Sequence, residues 1–316
     1  MRAAYASAID ADDPLAALSV GDLAAPEPPD GWVTVDVRAS SLNHHDLWSL
    51  RGVGLPADRL PMILGCDAAG IGPDGREVVV HAVVEDPADP RGFSLLSERH
   101  PGTFAERVSV PAANVVAKPA GLSFTDAACL PTAWLTAYRM LTTRGRVDEA
   151  EAVLVQGAGG GVATAAVVLA AAMGKRVYAT SRDAGKRERI AALGATAVEP
   201  GGRLPERVQV VIESVGAPTF EHSQKCAAPG ARIVVCGATG GMVAPLNLPR
   251  VFMMQLDVLG SSMGTAAELA ALMDLLVERD IRPVVDSVHG FSQVRDAFAR
   301  LERGDVFGKI VLDHTR

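Results

Sequence analysis

Residues 152–173 read AVLVQGAGGGVATAAVVLAAAM, and this stretch decides the fold. Ala152 to Gln156 is a short apolar β-type run, the glycine-rich turn Gly157-Ala158-Gly159-Gly160-Gly161 follows directly, and Val162 to Met173 reads as a helix of small side chains. A chain that passes straight from strand to helix needs glycine for two reasons. Some positions take positive φ, and others must let a pyrophosphate approach the backbone with no Cβ in the way. The helix N-terminus then offers unpaired N–H groups and the positive end of its dipole to the phosphates. A strict GxGxxG is not met. The best register is Ala158-x-Gly160-x-x-Ala163, whose closing Ala is small enough for tight packing. The reading is a dinucleotide site, and its bland competitor is a tight structural turn.

Working outward, strands are expected at 176–180, 197–198, 208–212, 232–236 and 256–259, with helices at 186–193 and 219–227 between them. These strands are mostly apolar rather than alternating, as expected where helices cover both faces of a parallel sheet. Upstream the pattern is different. Trp32 to Ala39 and Phe104 to Val110 alternate, Val78 to Val84 is nearly continuous in apolar character, and Pro- and Gly-rich loops separate them. A helix capped by Ser123 or Thr125 and bent at Pro131 joins the two regions, and a helix-strand-helix-strand stretch from Ala266 to Leu312 ends the chain.

The second strand selects the dinucleotide. An NAD site places an acid about 20 residues downstream to accept from the ribose 2′-OH. Here the strand ends Ala179-Thr180-Ser181-Arg182-Asp183, with Lys186 and Arg187 next. Asp183 falls late and reads as a helix cap. Arg182 and Lys186 flanking Ser181 would stabilise a 2′-phosphate, so NADP(H) is expected.

Bulk properties narrow the field. The chain has 316 residues, 30 Lys plus Arg against 37 Asp plus Glu, and a formal net charge of -7, which argues against a nucleic-acid partner. Its four Cys (66, 129, 226 and 236) form no CxxC pair, as suits a reduced cytoplasm. The N-terminus carries no apolar signal segment, and the stretch Val162 to Met173 is too short to span a bilayer. A cytoplasmic protein with no membrane partner is expected.

Several further motifs stand in order along nearly the whole chain. They are Ser41-Leu42-Asn43-His44-His45-Asp46, Leu64-Gly65-Cys66-Asp67-Ala68-Ala69-Gly70, Gly102-Thr103-Phe104-Ala105-Glu106, Leu135-Thr136-Ala137-Tyr138, and Gly304 to Leu312 (GDVFGKIVL). Together with the glycine turn they resemble the medium-chain dehydrogenase/reductase superfamily, in its zinc-free quinone oxidoreductase-like branch. The resemblance implies a GroES-like β-rich substrate domain, residues 1–122 completed by 260–316. A doubly wound Rossmann domain, residues 123–259, is inserted within it, with the active cleft where they meet. Zinc-dependent relatives carry Cys, His-Glu and Cys at positions matching Asn43, Cys66-Asp67 and Thr132, so no metal is expected, and Cys66 and Cys129 read as packing residues.

The implied reaction is hydride transfer from NADPH to an electrophilic acceptor, a quinone or an α,β-unsaturated carbonyl. Asn43 is the expected oxyanion donor, His44 or His45 a proton relay, and Asp46 an orienting group or a partner of Lys309. The resemblance places the cofactor against Thr132, Ala158, Gly160, Gly161, Val162, Ser181, Arg182, Lys186, Val215, Gly216, Cys236, Gly237, Ala238, Ser261, Met263 and Lys309, the last near the pyrophosphate. Trp48, Leu50 and Phe252-Met253-Met254 are candidates for an apolar pocket wall or for core. A homodimer is implied by analogy. Two alternatives remain. One is an NADP-linked alcohol or aldehyde dehydrogenase with a proton relay in place of zinc. The other is a cofactor-binding non-enzyme, as among lens and RNA-binding relatives.

Overall fold

The computed structural model describes residues 1–316. Two compact units divide the chain, Met1–Thr132 with Gly264–Arg316, and Ala133–Met263.

The first unit is built on the ten-residue strand Trp32–Ser41. It pairs antiparallel with Arg107–Pro111 along its first half, with Asp67–Ile71 along its second, and with Lys309–Asp313 at its end. Ser41 therefore stands opposite Asp67 on one side and Val311 on the other, which draws residues 43, 67 and 309 together. Beneath lies an apolar cluster that includes Leu42, Leu47, Leu50, Phe104 and Phe298. Phe104 and Phe298 meet edge to face with ring centroids 5.8 Å apart, the geometry aromatic quadrupoles favour. Leu50 belongs to this core and Trp48 is half-buried. The apolar run expected at 78–84 is two strands, Glu77–Val80 and Val83–Glu85. His81 interrupts it, because its Nε2 bonds Gly264 O and the Asn114 amide ties down the carbonyls of His81 and Val83.

The second unit is a six-stranded parallel sheet in the order Thr196–Val198, Arg176–Thr180, Ala152–Val155, Val208–Glu213, Ala227–Val235, Asp257–Gly260. Chain order reverses between the third and fourth of these strands, so the topological switch point lies beside Gln156 and Glu213. The connecting segment does not form one bent helix. Ser123 Oγ caps Phe124–Ala127, Pro131 lies in a widened turn over Leu130–Trp134, and Leu135–Arg139 resumes the α-helix. A widened turn tolerates a residue without an N–H better than a regular one does. The Phe-Met-Met run divides: Phe252 is 66% and Met253 74% exposed, whereas Met254 is half-buried against the core of this unit. No helix is long and apolar enough to cross a membrane.

Candidate active site

In the first unit, Lys309 is only 2% exposed, and its three donors are all committed. Nζ lies 2.7 Å from Leu42 O, 2.6 Å from Asn43 Oδ1 and 3.0 Å from Asp67 Oδ2. Asp67 is wholly buried, and the same Oδ2 also accepts from Ser41 Oγ at 2.7 Å and from Asn43 Nδ2 at 2.8 Å, while its Oδ1 has no donor. A buried ammonium–carboxylate pair is tolerable only when such hydrogen bonds complete both ions. The expectation that Lys309 reaches a pyrophosphate is at odds with this arrangement, since an ammonium has three donors and all are spent. Its carboxylate partner is Asp67, not Asp46.

Asn43 precedes the helix His44–Leu50, and the Asp46 side chain folds back on it. Asp46 Oδ2 accepts from Asn43 N at 2.7 Å and Oδ1 from Gly65 N at 3.1 Å. Burial raises the Asp46 carboxyl to about 6, against the pull of His45, so it remains largely ionised at neutral pH. Both of its oxygens hold backbone N–H groups, those of Asn43 and Gly65. The Asn43 amide oxygen is held by Lys309 and one amide hydrogen by Asp67; the other reaches Ser41 O only at 3.5 Å, a weak contact that leaves a donor on offer.

His45 departs furthest from expectation. Nε2 lies 3.1 Å from Glu98 Oε1, and Nδ1 lies 3.5 Å from both Cys66 Sγ and Ser97 Oγ. Burial favours the neutral ring, but Cys66 and Glu98 reverse this and raise its pKa well above the ordinary value. Nε2 is thus engaged by Glu98, Nδ1 has only weak contacts, and His44 is exposed. Glu98, bridged in turn by Arg91 at 3.1 Å, had no local signature: it lies 53 residues from His45 in sequence. The Cys66 thiol, pushed up by burial, donates to Leu96 O at 3.2 Å.

In the second unit the glycine turn leads into the helix Gly161–Ala172, which has Gly160 at its N-cap and no capping side chain. Its first N–H groups are left for another acceptor. Gly159 takes φ +136°, and a Cβ there would press on the stem of Lys186, so Lys186 lies across the turn. A Cβ on Gly160 would meet nothing. Ala158 and Ala163 are buried, as the small-residue register requires. Ser181 is buried and Arg182 exposed, and Asp183 Oδ1 accepts from Lys186 N at 2.7 Å, capping the next helix. Arg187 is spent on the carbonyls of Ser181 and Arg182 and on Glu199.

The N–H groups of Val215 and Gly216 are not free for a ligand, because Glu213 Oε1 takes both, at 2.9 and 3.1 Å. Gly216 has φ +88°, and a Cβ there would strike Gly241 O, so close backbone packing requires glycine at this position. Cys236, Gly237 and Ala238 are half-buried at the end of Ala227–Val235. Ser261 Oγ is shielded from solvent without a partner, and Met263 is buried at φ +50°, a strained value for a side-chain-bearing residue. In the first unit Thr132 Oγ1 is likewise shielded and unpartnered. Uncapped helix N–H groups, an open Gly160 and an orphaned hydroxyl at Ser261 fit a dinucleotide.

The donor set does not fit a catalytic zinc. Asn43 presents an amide oxygen already bonded to an ammonium, Cys66 a protonated thiol, and Thr132 a hydroxyl, where a tetrahedral site wants three N, S or carboxylate ligands.

Comparison with known proteins agrees with this architecture. Residues 29–120 match the alcohol dehydrogenase GroES-like domain and residues 185–312 the zinc-binding dehydrogenase family. A solved NAD-dependent alcohol dehydrogenase superposes with TM-score 0.88 at 33% identity, covering 99% of both chains. The acryloyl-coenzyme A reductase of Metallosphaera sedula is 29% identical over 93% of this chain and 95% of its own. A 2-octenoyl-CoA carboxylase reductase solved with NADP and 2-octenoyl-CoA shares the fold at TM-score 0.89 and 23% identity, over 98% of this chain and 87% of its own. The chain belongs to the medium-chain dehydrogenase/reductase superfamily. It is an oxidoreductase of that superfamily, with the GroES-like and Rossmann folds expected.

Proposed function

We propose that this protein is an NADPH-dependent reductase of α,β-unsaturated carbonyl compounds, thioesters foremost, working without zinc. The observation that carries the reading is the closed Lys309–Asn43–Asp67 cluster, in which Asn43 and Asp67 stand at positions matched to Cys and Glu of zinc-dependent relatives and are tied to an ammonium instead. An alcohol needs a Lewis acid to lower its pKa, whereas a conjugated carbonyl is already electrophilic. The similarity to an acryloyl-coenzyme A reductase supports the same acceptor class. Bound NADPH supplies the hydride. The carbonyl oxygen then gathers negative charge, and the donor assigned to it is the Asn43 N–H, whose weak 3.5 Å contact to Ser41 O supports the choice. Asp46 and Lys309 fix that amide from its backbone and its oxygen, and water delivers the proton to the α-carbon. Ser181, Arg182 and Lys186 support the choice of NADPH through the 2′-phosphate.

The alcohol dehydrogenase at 33% identity supports a second reading, oxidation of a simple alcohol with NAD. We also infer a dimer through the apolar face carrying Phe252, Met253 and Val258, which is 41% exposed on the sheet's edge strand. Steady-state rates separate the chemistries. With NADPH, a crotonyl thioester or an enone should turn over at least about tenfold faster, by kcat/KM, than a quinone or than a primary alcohol oxidised in reverse, a gap of about 1.4 kcal/mol. A faster alcohol reaction, or one abolished by a chelator, would replace the proposal with the dehydrogenase reading.

A further inference from the structure

Glu213 ends the fourth strand of the Rossmann sheet at the topological switch point, and it is fully buried. Its carboxylate has no cationic partner. It is completed by neutral donors alone: Val215 N at 2.9 Å, Gly216 N at 3.1 Å and Thr219 Oγ1 at 2.9 Å on Oε1, and Ser223 Oγ at 2.6 Å on Oε2. The N-terminus of the helix Ala217–Cys226 adds the partial positive charge of its dipole.

Beyond these donors and the helix dipole, no cation lies against the carboxylate. Ser223 gives its one hydrogen to Glu213, so it accepts from Gln156 Nε2 at 3.0 Å, which fixes the orientation of that amide. The same Nε2 donates to His222 Nδ1 at 2.9 Å, while His222 Nε2 donates to Gly202 O at 2.8 Å. His222 thus meets the amide as an acceptor. On its other side Gln156 Oε1 accepts from Thr180 Oγ1 at 2.7 Å, and Thr180 Oγ1 accepts from Gly157 N at 3.0 Å. The chain of donors runs from Glu213 to the first glycine of the turn and contains no cation. The neighbouring Cys236 thiol, pushed up to about 12 by burial and by Glu213, is neutral as well.

Ligands of open α/β sheets bind outside the carboxyl ends of the strands at the switch point, where this carboxylate sits. We propose that Glu213 is a positioning residue whose uncompensated buried charge makes the site prefer the oxidised, cationic nicotinamide over the neutral reduced ring. The inference rests on the proposed NADPH reading and deepens it. When the hydride and its electron pair leave for the acceptor, the ring acquires a positive charge, and Glu213 stabilises that charge without moving. The same group presents Val215 and Gly216 as a fixed wall.

The test is the dissociation constant of each redox form, NADP+ and NADPH, for the wild type, Glu213→Gln and Glu213→Asp. Glutamine keeps an oxygen for the two backbone N–H groups and removes the charge, while its amide nitrogen turns Ser223 Oγ from donor to acceptor, a change that acts on both redox forms alike. The ratio Kd(NADP+)/Kd(NADPH) should rise roughly fivefold in Glu213→Gln, about 1 kcal/mol, and stay within about twofold of wild type in Glu213→Asp. A purely structural role would weaken both forms equally and leave the ratio unchanged, which overturns the inference. Should Glu213→Gln fail to fold, the wild type still decides. It should bind NADP+ at least about fivefold more tightly than the analogue with a neutral benzamide ring in place of the pyridinium. Equal affinity overturns the inference. A wild type that binds neither NADP+ nor NADPH overturns instead the cofactor reading on which it rests.

Discussion

Around Lys309 every strong donor is spent on the protein itself, whereas at the glycine turn after Ala152–Val155 the helix N–H groups are left uncapped. The first centre is a closed charge cluster built from residues 24 and 242 positions apart. The second is a backbone cradle contained in one short stretch of chain. The difference separates two ways of making a site. One fixes side chains by mutual hydrogen bonds in a dry interior, where removing a member leaves a buried ion exposed to a low dielectric. The other presents backbone to a ligand, and its side chains only choose among ligands.

Unequal consequences of substitution follow, and the largest belongs to the closed cluster. Lys309→Met should cost about 3–5 kcal/mol of folding stability, because Asp67 loses its countercharge and the Asn43 amide oxygen its donor inside the protein. Urea denaturation measures it, and a loss below about 1 kcal/mol would erase the contrast between the two centres. Asn43→Ala should lower kcat/KM for an enoyl thioester about 10²-fold, with NADPH affinity nearly unchanged, if its amide meets the oxyanion. An unaltered rate would leave Asn43 with a structural role only.

At the open centre the effects are smaller and confined to binding. Arg182→Ala should weaken NADPH roughly tenfold, about 1.4 kcal/mol, and leave NADH and the stability of the fold almost untouched. Equal weakening of both dinucleotides would remove Arg182 from 2′-phosphate recognition. The smallest effect sharpens the comparison through pH. Since the folded state raises the His45 pKa, its pairing with Glu98 contributes stability that is fully present below about 6.5. That contribution is lost as pH rises through the higher folded value. The stability margin of wild type over His45→Gln, on the order of 1 kcal/mol at pH 6, should therefore shrink by pH 9. A margin that grows with pH would mean the ring is neutral in the native protein.

The same contrast governs what the sequence discloses. The glycine turn and the parallel strands around it are legible because each depends on neighbours in the chain and on backbone geometry. The closed cluster is not. Asn43 and Asp46 stand out by spacing, but the partner of Lys309 is decided by the register that sets Ser41 against Asp67 and Val311. Glu98, the partner of His45, is brought in by a loop whose path no local pattern announces. Sequence reading places Val215 and Gly216 at the cofactor and cannot see that Glu213 already claims their N–H groups. It offers Phe252 and Met253 as core or pocket, while the structure leaves both in solvent, because hydrophobicity alone does not tell a buried face from a docking face.

The most direct test of the account is deuteride transfer by metal-stripped protein. The protein is treated with a chelator, given NADPH deuterated at the transferable C4 position and a crotonyl thioester, and the product is read by mass spectrometry. The expected result is one deuterium at the β-carbon, formed at the rate of the untreated protein. No transfer until zinc is restored would contradict the account and make this an alcohol dehydrogenase in function as well as in fold.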